Sequence, residues 1–242
     1  MRNILLKVVL SICLAAVLSC SKEDSDVLYV GTNAEYPPFE YLDENGNVAG
    51  FDIDLMNEIA KIIGKKIEIK DMTFDGLIPA LEANTIDIII AGMTVNESKK
   101  KIMNFSIPYY EVRQNIIVLD NNTDITNLSS LNNKRVAVVL GYRADNILST
   151  NEAVTLERYN RTADTVLALQ SGKVDAAVMD SPVAIGYVKN NEGLKIVDTY
   201  SDIQELAIGF RKKDVQLMED VNNAMNILQT NGVYDSLLEK YF

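Results

Sequence analysis

The chain is 242 residues long, carries a formal net charge of −11, and contains no histidine, no tryptophan and two cysteines. Without histidine, Ser-His-Asp and Cys-His nucleophiles and most transition-metal centres are excluded, and the acidic balance argues against nucleic acid or an anionic membrane surface as a partner. A hydrophobic content of 48% with 24% charged residues is that of an ordinary globular protein.

Arg2 and Lys7 flank an apolar run from Val8 to Leu18 that is too short to cross a bilayer as a helix, and Ser19-Cys20 follows it. Residues 1–19 therefore read as a secretory signal. Val17-Leu18-Ser19-Cys20 resembles the lipobox of bacterial lipoproteins, which implies cleavage before Cys20, lipid on that residue, and a polar tether over 20–26. The net charge becomes −13 once Arg2 and Lys7 leave. The resemblance places the mature protein outside the cytoplasm, anchored to a bacterial membrane through lipid only. Cys13 lies in the signal, so no disulfide remains for the fold. Asp and Glu are spread without the spacing of an EF-hand, so neither a metal nor another cofactor is expected.

Strand-like runs at Val27–Val30, Ile67–Ile69, Ile86–Ile90, Val136–Leu140, Val174–Met179 and Leu206–Phe210 alternate with helical patterns. Leu55, Met56, Ile59, Ile62 and Ile63 share one face of a helix that ends at Gly64, and Leu77, Ile78 and Leu81 share a face of a shorter one. Further helices are predicted near Ala163–Gln170, Pro182–Tyr187, Val215–Leu228 and Val233–Lys240. The alternation is that of an α/β protein with a largely parallel sheet.

Between the run at Ile86–Ile90 and a charged helical segment lies Ala91-Gly92-Met93-Thr94-Val95-Asn96-Glu97-Ser98-Lys99. Small residues leave backbone N–H groups bare, Thr94 adds a hydroxyl and Lys99 a cation, a combination suited to a small anion such as a carboxylate. A plain strand-to-helix turn would use the same residues.

Tyr109–Leu119 and Thr199–Leu206 read as two extended crossings, with a fresh βαβα series opening at Arg135. Two crossings mean that the C-terminal segment completes the first lobe. The division is lobe 1 over 27–109 and 206–242, lobe 2 over 114–200, and a hinge at 110–113 and 201–205, with a ligand cleft between the lobes.

Asn33-Ala34-Glu35-Tyr36-Pro37-Pro38-Phe39-Glu40, Gly50-Phe51-Asp52-Ile53-Asp54-Leu55, Phe74-Asp75-Gly76-Leu77 and Ala91-Gly92-Met93-Thr94 follow one another in order, as do Phe105-Ser106-Ile107-Pro108-Tyr109-Tyr110 and Val178-Met179-Asp180-Ser181-Pro182. Together they resemble the family 3 solute-binding proteins of polar amino acid ABC transporters. The resemblance implies a two-lobed, periplasmic-binding-protein-like type II fold and a monomer that delivers a small amino-acid-like ligand to an ABC permease. It implies that Tyr36 and Phe74 wall the ligand side chain, that Gly92 and Thr94 bind its carboxylate through N–H and hydroxyl, and that Asp180 accepts from its α-ammonium. Asp180 could also cap the helix starting at Ser181-Pro182. Phe39 and Phe51 read as core, and Phe74 has core packing as its alternative.

Two departures from the family pattern bear on the ligand. Lys99 stands where the family usually has an arginine, giving a point charge without the planar fork, and it opens a Lys99-Lys100-Lys101 run that could equally be a solvated face. Gly141-Tyr142-Arg143 replaces small hydroxyl residues, so Tyr142 would narrow the cleft and Arg143 could supply a guanidinium, or pair with Asp145 or Asp180. Asn33 and Glu35 are further candidate side-chain contacts. The rival functions are a ligand-sensing module and an enzyme resembling cyclohexadienyl dehydratase, for which Glu35, Glu111 or Asp180 would have to act as general acid.

The lipobox reading yields the first prediction. Cys20→Ala yields a folded protein that no longer partitions into detergent, whereas the wild type does; a Cys20→Ala protein that still fractionates with membranes after signal removal overturns the assignment.

Overall fold

The computed structural model describes residues 26–242, so the signal segment 1–19, Cys20 and all but the last residue of the tether lie outside the described residues. In chain order the elements are β1 (Val27–Thr32), β2 (Glu35–Tyr36), β3 (Glu40–Leu42), β4 (Val48–Ala49), α1 (Phe51–Ile62), β5 (Lys66–Asp71), α2 (Phe74–Glu82), β6 (Ile88–Ile89), α3 (Glu97–Ile102) and β7 (Met103–Phe105). They continue with β8 (Tyr110–Leu119), a 3₁₀ turn at Leu128–Leu131, β9 (Arg135–Val139), α4 (Arg143–Leu148), β10 (Thr155–Tyr159), α5 (Thr162–Gln170), β11 (Ala176–Asp180), α6 (Ser181–Asn190), β12 (Leu194–Leu206), β13 (Gly209–Arg211), α7 (Val215–Thr230) and α8 (Val233–Tyr241).

These elements build two lobes. The first sheet has the order β5-β1-β6-β13-β7, the second β10-β9-β11-β8-β12, and β2-β3-β4 form a small separate meander. The largely parallel sheet expected from the alternation is only half of each lobe: β1 runs parallel to β5 and β6, and β9 to β10 and β11, as βαβ units require. One strand in each sheet is reversed, β13 against β6 and β7, and β8 against β11 and β12, because each follows the chain across from the other lobe and enters its sheet from the opposite end. The predicted strand over Leu206–Phe210 is likewise split, β12 ending at Leu206 and β13 starting at Gly209. β7 and the meander escape a periodicity reading because two or three residues are too few to show one.

The periodic faces account for the packing. Leu55, Met56 and Ile59 of α1 are fully buried, as are Val221, Ala224 and Met225 of α7, and α1, α7 and α8 pack on one another over the first sheet. Phe39 and Phe51 are fully buried in an aromatic cluster with Tyr109, Tyr110 and Phe242. The connections after β1, β6, β9 and β11 leave the carboxyl ends of the parallel strands, the end at which open α/β sheets bind ligands.

Gly50 precedes α1 at φ 131, and a Cβ there would overlap the carbonyl of Phe39. Gly50→Ala is expected to cost roughly 2–4 kcal/mol in urea unfolding, combining a disallowed backbone with a clash against rigid main chain. Gly46→Ala, at φ 79 with open space around it, is expected to cost only about 1 kcal/mol.

Candidate functional site

Asp180 ends β11 and sits at the N-cap of α6, with Pro182 in the first turn. Its side chain makes no capping bond. It is buried, and it accepts hydrogen bonds from the Tyr36 hydroxyl of the first lobe and from Nε2 of Gln114 in β8. Burial pushes its pKa up to about 6, against the opposing pull of those two donors and of the charges on Arg143 and Lys99. The group is thus an anion short of a bonded cation, with two cations close enough to be felt.

Lys99 lies in the first turn of α3, beyond the turn that follows β6. Asn96 caps α3 by accepting from the Lys99 N–H at 2.8 Å, and the Lys99 side chain folds back so that Nζ donates to the Thr94 carbonyl at 3.0 Å and lies 3.5 Å from Thr94 Oγ1. It also stands over the Phe74 ring, 5.7 Å from the centroid. Burial lowers its pKa to about 8, with the Arg143 charge acting in the same direction and Asp180 opposing. Lys100 and Lys101 are exposed, so the lysine run divides, one member facing inward and two facing solvent.

The expectation for Gly92 needs correction. Its N–H does not face the gap as a carboxylate donor; it donates at 3.1 Å to Oδ2 of Asp52, a buried carboxylate that needs donors. Gly92 serves by being small: at φ 54 a Cβ would run into the Tyr36 ring. Thr94 is buried and bridges Leu206 of β12.

From the second lobe, Tyr142 and Arg143 open α4. The Tyr142 hydroxyl crosses to Oδ1 of Asn33 at 2.8 Å, and its ring meets Phe74 (4.6 Å) and Tyr36 (5.6 Å) edge-on. Asn33 spends its amide nitrogen on the Met72 carbonyl at 2.9 Å, so both ends of this expected ligand contact are already engaged. Arg143 does not pair with Asp145, which instead bonds Arg158 at 2.9 Å and the Gly141 N–H at 3.0 Å. Arg143 Nε is buried without a partner, and its guanidinium feels Asp180, Tyr200 and Asp202. Beside it a small cavity is lined by Tyr36, Gln114, Tyr142, Arg143, Thr162 and Asp180 among others. Thr162 Oγ1 and Gln114 Oε1 are also buried and unpartnered there.

The structure therefore brings Tyr36, Phe74, Lys99, Thr94, Tyr142, Arg143 and Asp180 to one interlobe gap, closed over by Tyr36–Asp180, Tyr142–Asn33 and a 2.9 Å ion pair between Arg161 and Glu35. Gln114 and Arg161 were not legible from sequence, since a glutamine inside an apolar strand and an arginine before a helix carry no motif. Among the described residues no three His, Cys, Asp or Glu side chains gather as a metal cage, and the available chemistry is charged hydrogen bonding.

Residues 28–242 match the family model of bacterial extracellular solute-binding proteins, family 3. The chain is 36% identical over 224 residues to a probable histidine-binding protein of Neisseria gonorrhoeae, covering 89% of this chain and 83% of that one. It is 36% identical over 230 residues to the arginine-binding extracellular protein ArtP of Bacillus subtilis (93% and 89%). The solved structure of an ancestral arginine-binding protein bound to arginine superposes with a TM-score of 0.87 at 41% identity, covering 90% of this chain and 98% of that one.

The depressed Lys99 pKa carries a stability consequence. A lysine titrating near 8 when folded and 10.5 when unfolded is stabilising only in its neutral form, so its contribution is full above 10.5 and is lost as pH falls through 8. At pH 7 the buried charge is a net cost, and Lys99→Met is expected to raise ligand-free stability by roughly 1–3 kcal/mol, with the gain vanishing above pH 10. Urea titrations at pH 7 and pH 10 measure it; a destabilised Lys99→Met protein at pH 7 overturns it.

Proposed function

Because the chain belongs to the bacterial extracellular solute-binding proteins of family 3, we propose that it captures an amino acid in the interlobe gap and presents it to an ABC permease while tethered to the membrane through Cys20. The carrying observation is the convergence of one buried carboxylate, Asp180, with two cations that are not bonded to it, Lys99 and Arg143. An α-ammonium and an α-carboxylate are the complementary charges. In this reading the ammonium displaces the Tyr36 hydroxyl from Asp180, the carboxylate sits between Thr94, Lys99 and Arg143, and Phe74 and Tyr142 flank the side chain. Binding in a drier gap strengthens each of these bonds relative to water.

The lobes are proposed to turn on a hinge at 110–113 and 201–205. Support comes from the β8–β12 ladder, whose register breaks between Tyr200 and Gln204. Ligand that touches both lobes favours the closed state by its differential affinity, and the closed shape is what a permease would read. The lipid raises the local concentration of the carrier at that permease. A dehydratase-like reading loses Glu35, which is paired with Arg161, and Glu111, which is exposed, and would rest on Asp180 alone, whose carboxyl is occupied by the ammonium in the reading proposed here.

The relatives' names point to arginine, histidine and similar amino acids, while Tyr142 at the gap favours a compact ligand. A thermal-shift screen over amino acids, dicarboxylates and polyamines decides, because a ligand at 100 times its Kd stabilises the fold by roughly 2.7 kcal/mol. For the amino acid giving the largest shift, Asp180→Asn and Arg143→Ala are each expected to cost about 2–5 kcal/mol of binding in titration calorimetry, with Arg143→Ala at least as damaging as Lys99→Ala. Binding of an ammonium requires ionised Asp180, so affinity is expected to fall as pH drops through about 6, by up to tenfold per unit. Unchanged affinity in Arg143→Ala and Asp180→Asn, or no amino acid shifting the melting curve, overturns the reading.

A further inference from the structure

Behind the Gly92 turn, the first lobe buries two carboxyl groups that the binding reading leaves unused. Glu40 in β3 and Asp52 in α1 are both fully buried. Neither Glu40 oxygen has a hydrogen-bond partner, nor has Asp52 Oδ1, whereas Asp52 Oδ2 accepts from the Gly92 N–H at 3.1 Å and from the Tyr109 hydroxyl at 2.8 Å. Among the described residues neither carboxyl makes an ion pair. The titratable groups that act on them from the surrounding elements are acidic or phenolic: Asp71, Tyr36, Tyr109, Tyr142 and Tyr234.

The Asp52 N–H donates to the Phe39 carbonyl at 2.9 Å, next to Glu40, and the two carboxyls lie within hydrogen-bond reach of each other. Two carboxylates so placed, out of water and without a cation, cannot both stay ionised. A single proton between them changes that, turning one orphaned oxygen into a donor and another into its acceptor. We propose that Glu40 and Asp52 share one proton, Glu40 donating to Asp52, and that this pair fixes the ligand-side turn at Gly92 and the root of the connecting strands in one geometry. The division of roles follows from the surroundings. Burial and the neighbouring Asp52 charge hold the Glu40 carboxyl well above the usual carboxylate range, while the Gly92 N–H and the Tyr109 hydroxyl, both already donating to Asp52, oppose the upward effect of burial there.

The pair reaches both connecting strands through Tyr109. Its N–H donates to the Leu206 carbonyl at 2.9 Å, where β12 ends, its own carbonyl accepts from the Tyr234 hydroxyl, and β8 begins at the next residue. Leu206 in turn bridges Thr94. Asp52 is thus a positioning residue, holding one N–H of the turn that carries Thr94 and one hydroxyl at the strand root. The functional half of this inference rests on the proposed site; the shared proton does not.

The sign of the pH effect separates the two. A glutamate whose folded pKa lies above its unfolded value of 4.5 takes up a proton on folding, so its contribution is full below 4.5 and is lost as pH rises through the folded value. The folded-to-unfolded ratio then drops by up to tenfold per pH unit. Glu40→Gln replaces the protonated acid by a permanent donor and removes this slope. Urea unfolding at pH 6, 7 and 8, without ligand, is expected to show Glu40→Gln gaining on the wild type at each step, by threefold or more in folded-to-unfolded ratio per unit. The infrared spectrum of the wild type at pH 7 should contain a protonated carboxyl band absent from Glu40→Gln.

Amide exchange at Gly92 reads the positioning role. It is expected to stay slow in the wild type and Glu40→Gln and to accelerate at least tenfold in Asp52→Asn, where an amide must replace the carboxylate acceptor. Where Asp52→Asn does not fold, Tyr109→Phe removes one donor alone, and Gly92 should remain slow in it while the pH slope of stability is retained. Parallel pH profiles for wild type and Glu40→Gln, together with no protonated carboxyl band, overturn the shared proton. Slow Gly92 exchange in a folded Asp52→Asn overturns the positioning role.

Discussion

Asp180 carries a carboxylate at the point where β11 stops and α6 begins, buried, satisfied by the neutral donors Tyr36 and Gln114, and close to two cations that it does not bond. A desolvated anion held this way has attraction to spare. The same condition runs through the neighbouring groups: Lys99 is held below its usual pKa by burial, and Arg143 keeps a buried Nε without a partner. In a hydrophobic core such deficits would be pure cost. At a gap between two lobes they favour whatever small charged molecule brings the missing partners, and the proposed capture of an amino acid draws on that imbalance.

The fold supplies the gap. Each lobe contributes the carboxyl ends of parallel strands, and the segments after β1, β6 and β9 together with the last residue of β11 place Asn33 and Tyr36, the Gly92–Thr94 turn, Tyr142 and Arg143, and Asp180 around one space. β8 and β12 link the lobes as one antiparallel ladder, and the proposed closure would bend these two paired strands. The first lobe's side of this arrangement is pinned from behind by Asp52 through Gly92 and Tyr109. Tight packing there matters because the side chains at the gap have little room: a single Cβ at Gly92 would displace the Tyr36 ring.

Much of the candidate site was legible as a string of residues. Gly92-Met93-Thr94 after an apolar run, an inward lysine five residues on, and aspartate before Ser-Pro all combine residue type with position in an element, and each lies at the gap. The roles were less legible than the places. Asn33 looked free to meet a ligand and is spent on Met72 and Tyr142; Gly92 looked like an anion donor and is spent on Asp52. Gln114 and Arg161 gave no local signal, and Glu40 and Asp52 stood in quoted runs without a legible role, because their partners lie between 12 and 126 positions away in the chain.

By itself the sequence determined the long helices, most of the buried strands and the α/β character, since periodicity of apolar residues sets which face of a helix or strand must be buried, and burial is the dominant driving force. The short strands and the half-exposed β10 left no period to read. It also determined which chemistries are closed to the chain, through the absence of histidine. Strand direction, the pairing of buried polar groups and the engagement of each hydrogen-bond donor were decided only by tertiary structure. Each depends on where a second group lands after folding, and a charge or an amide carries no mark in sequence of whether its partner will be protein, water or ligand.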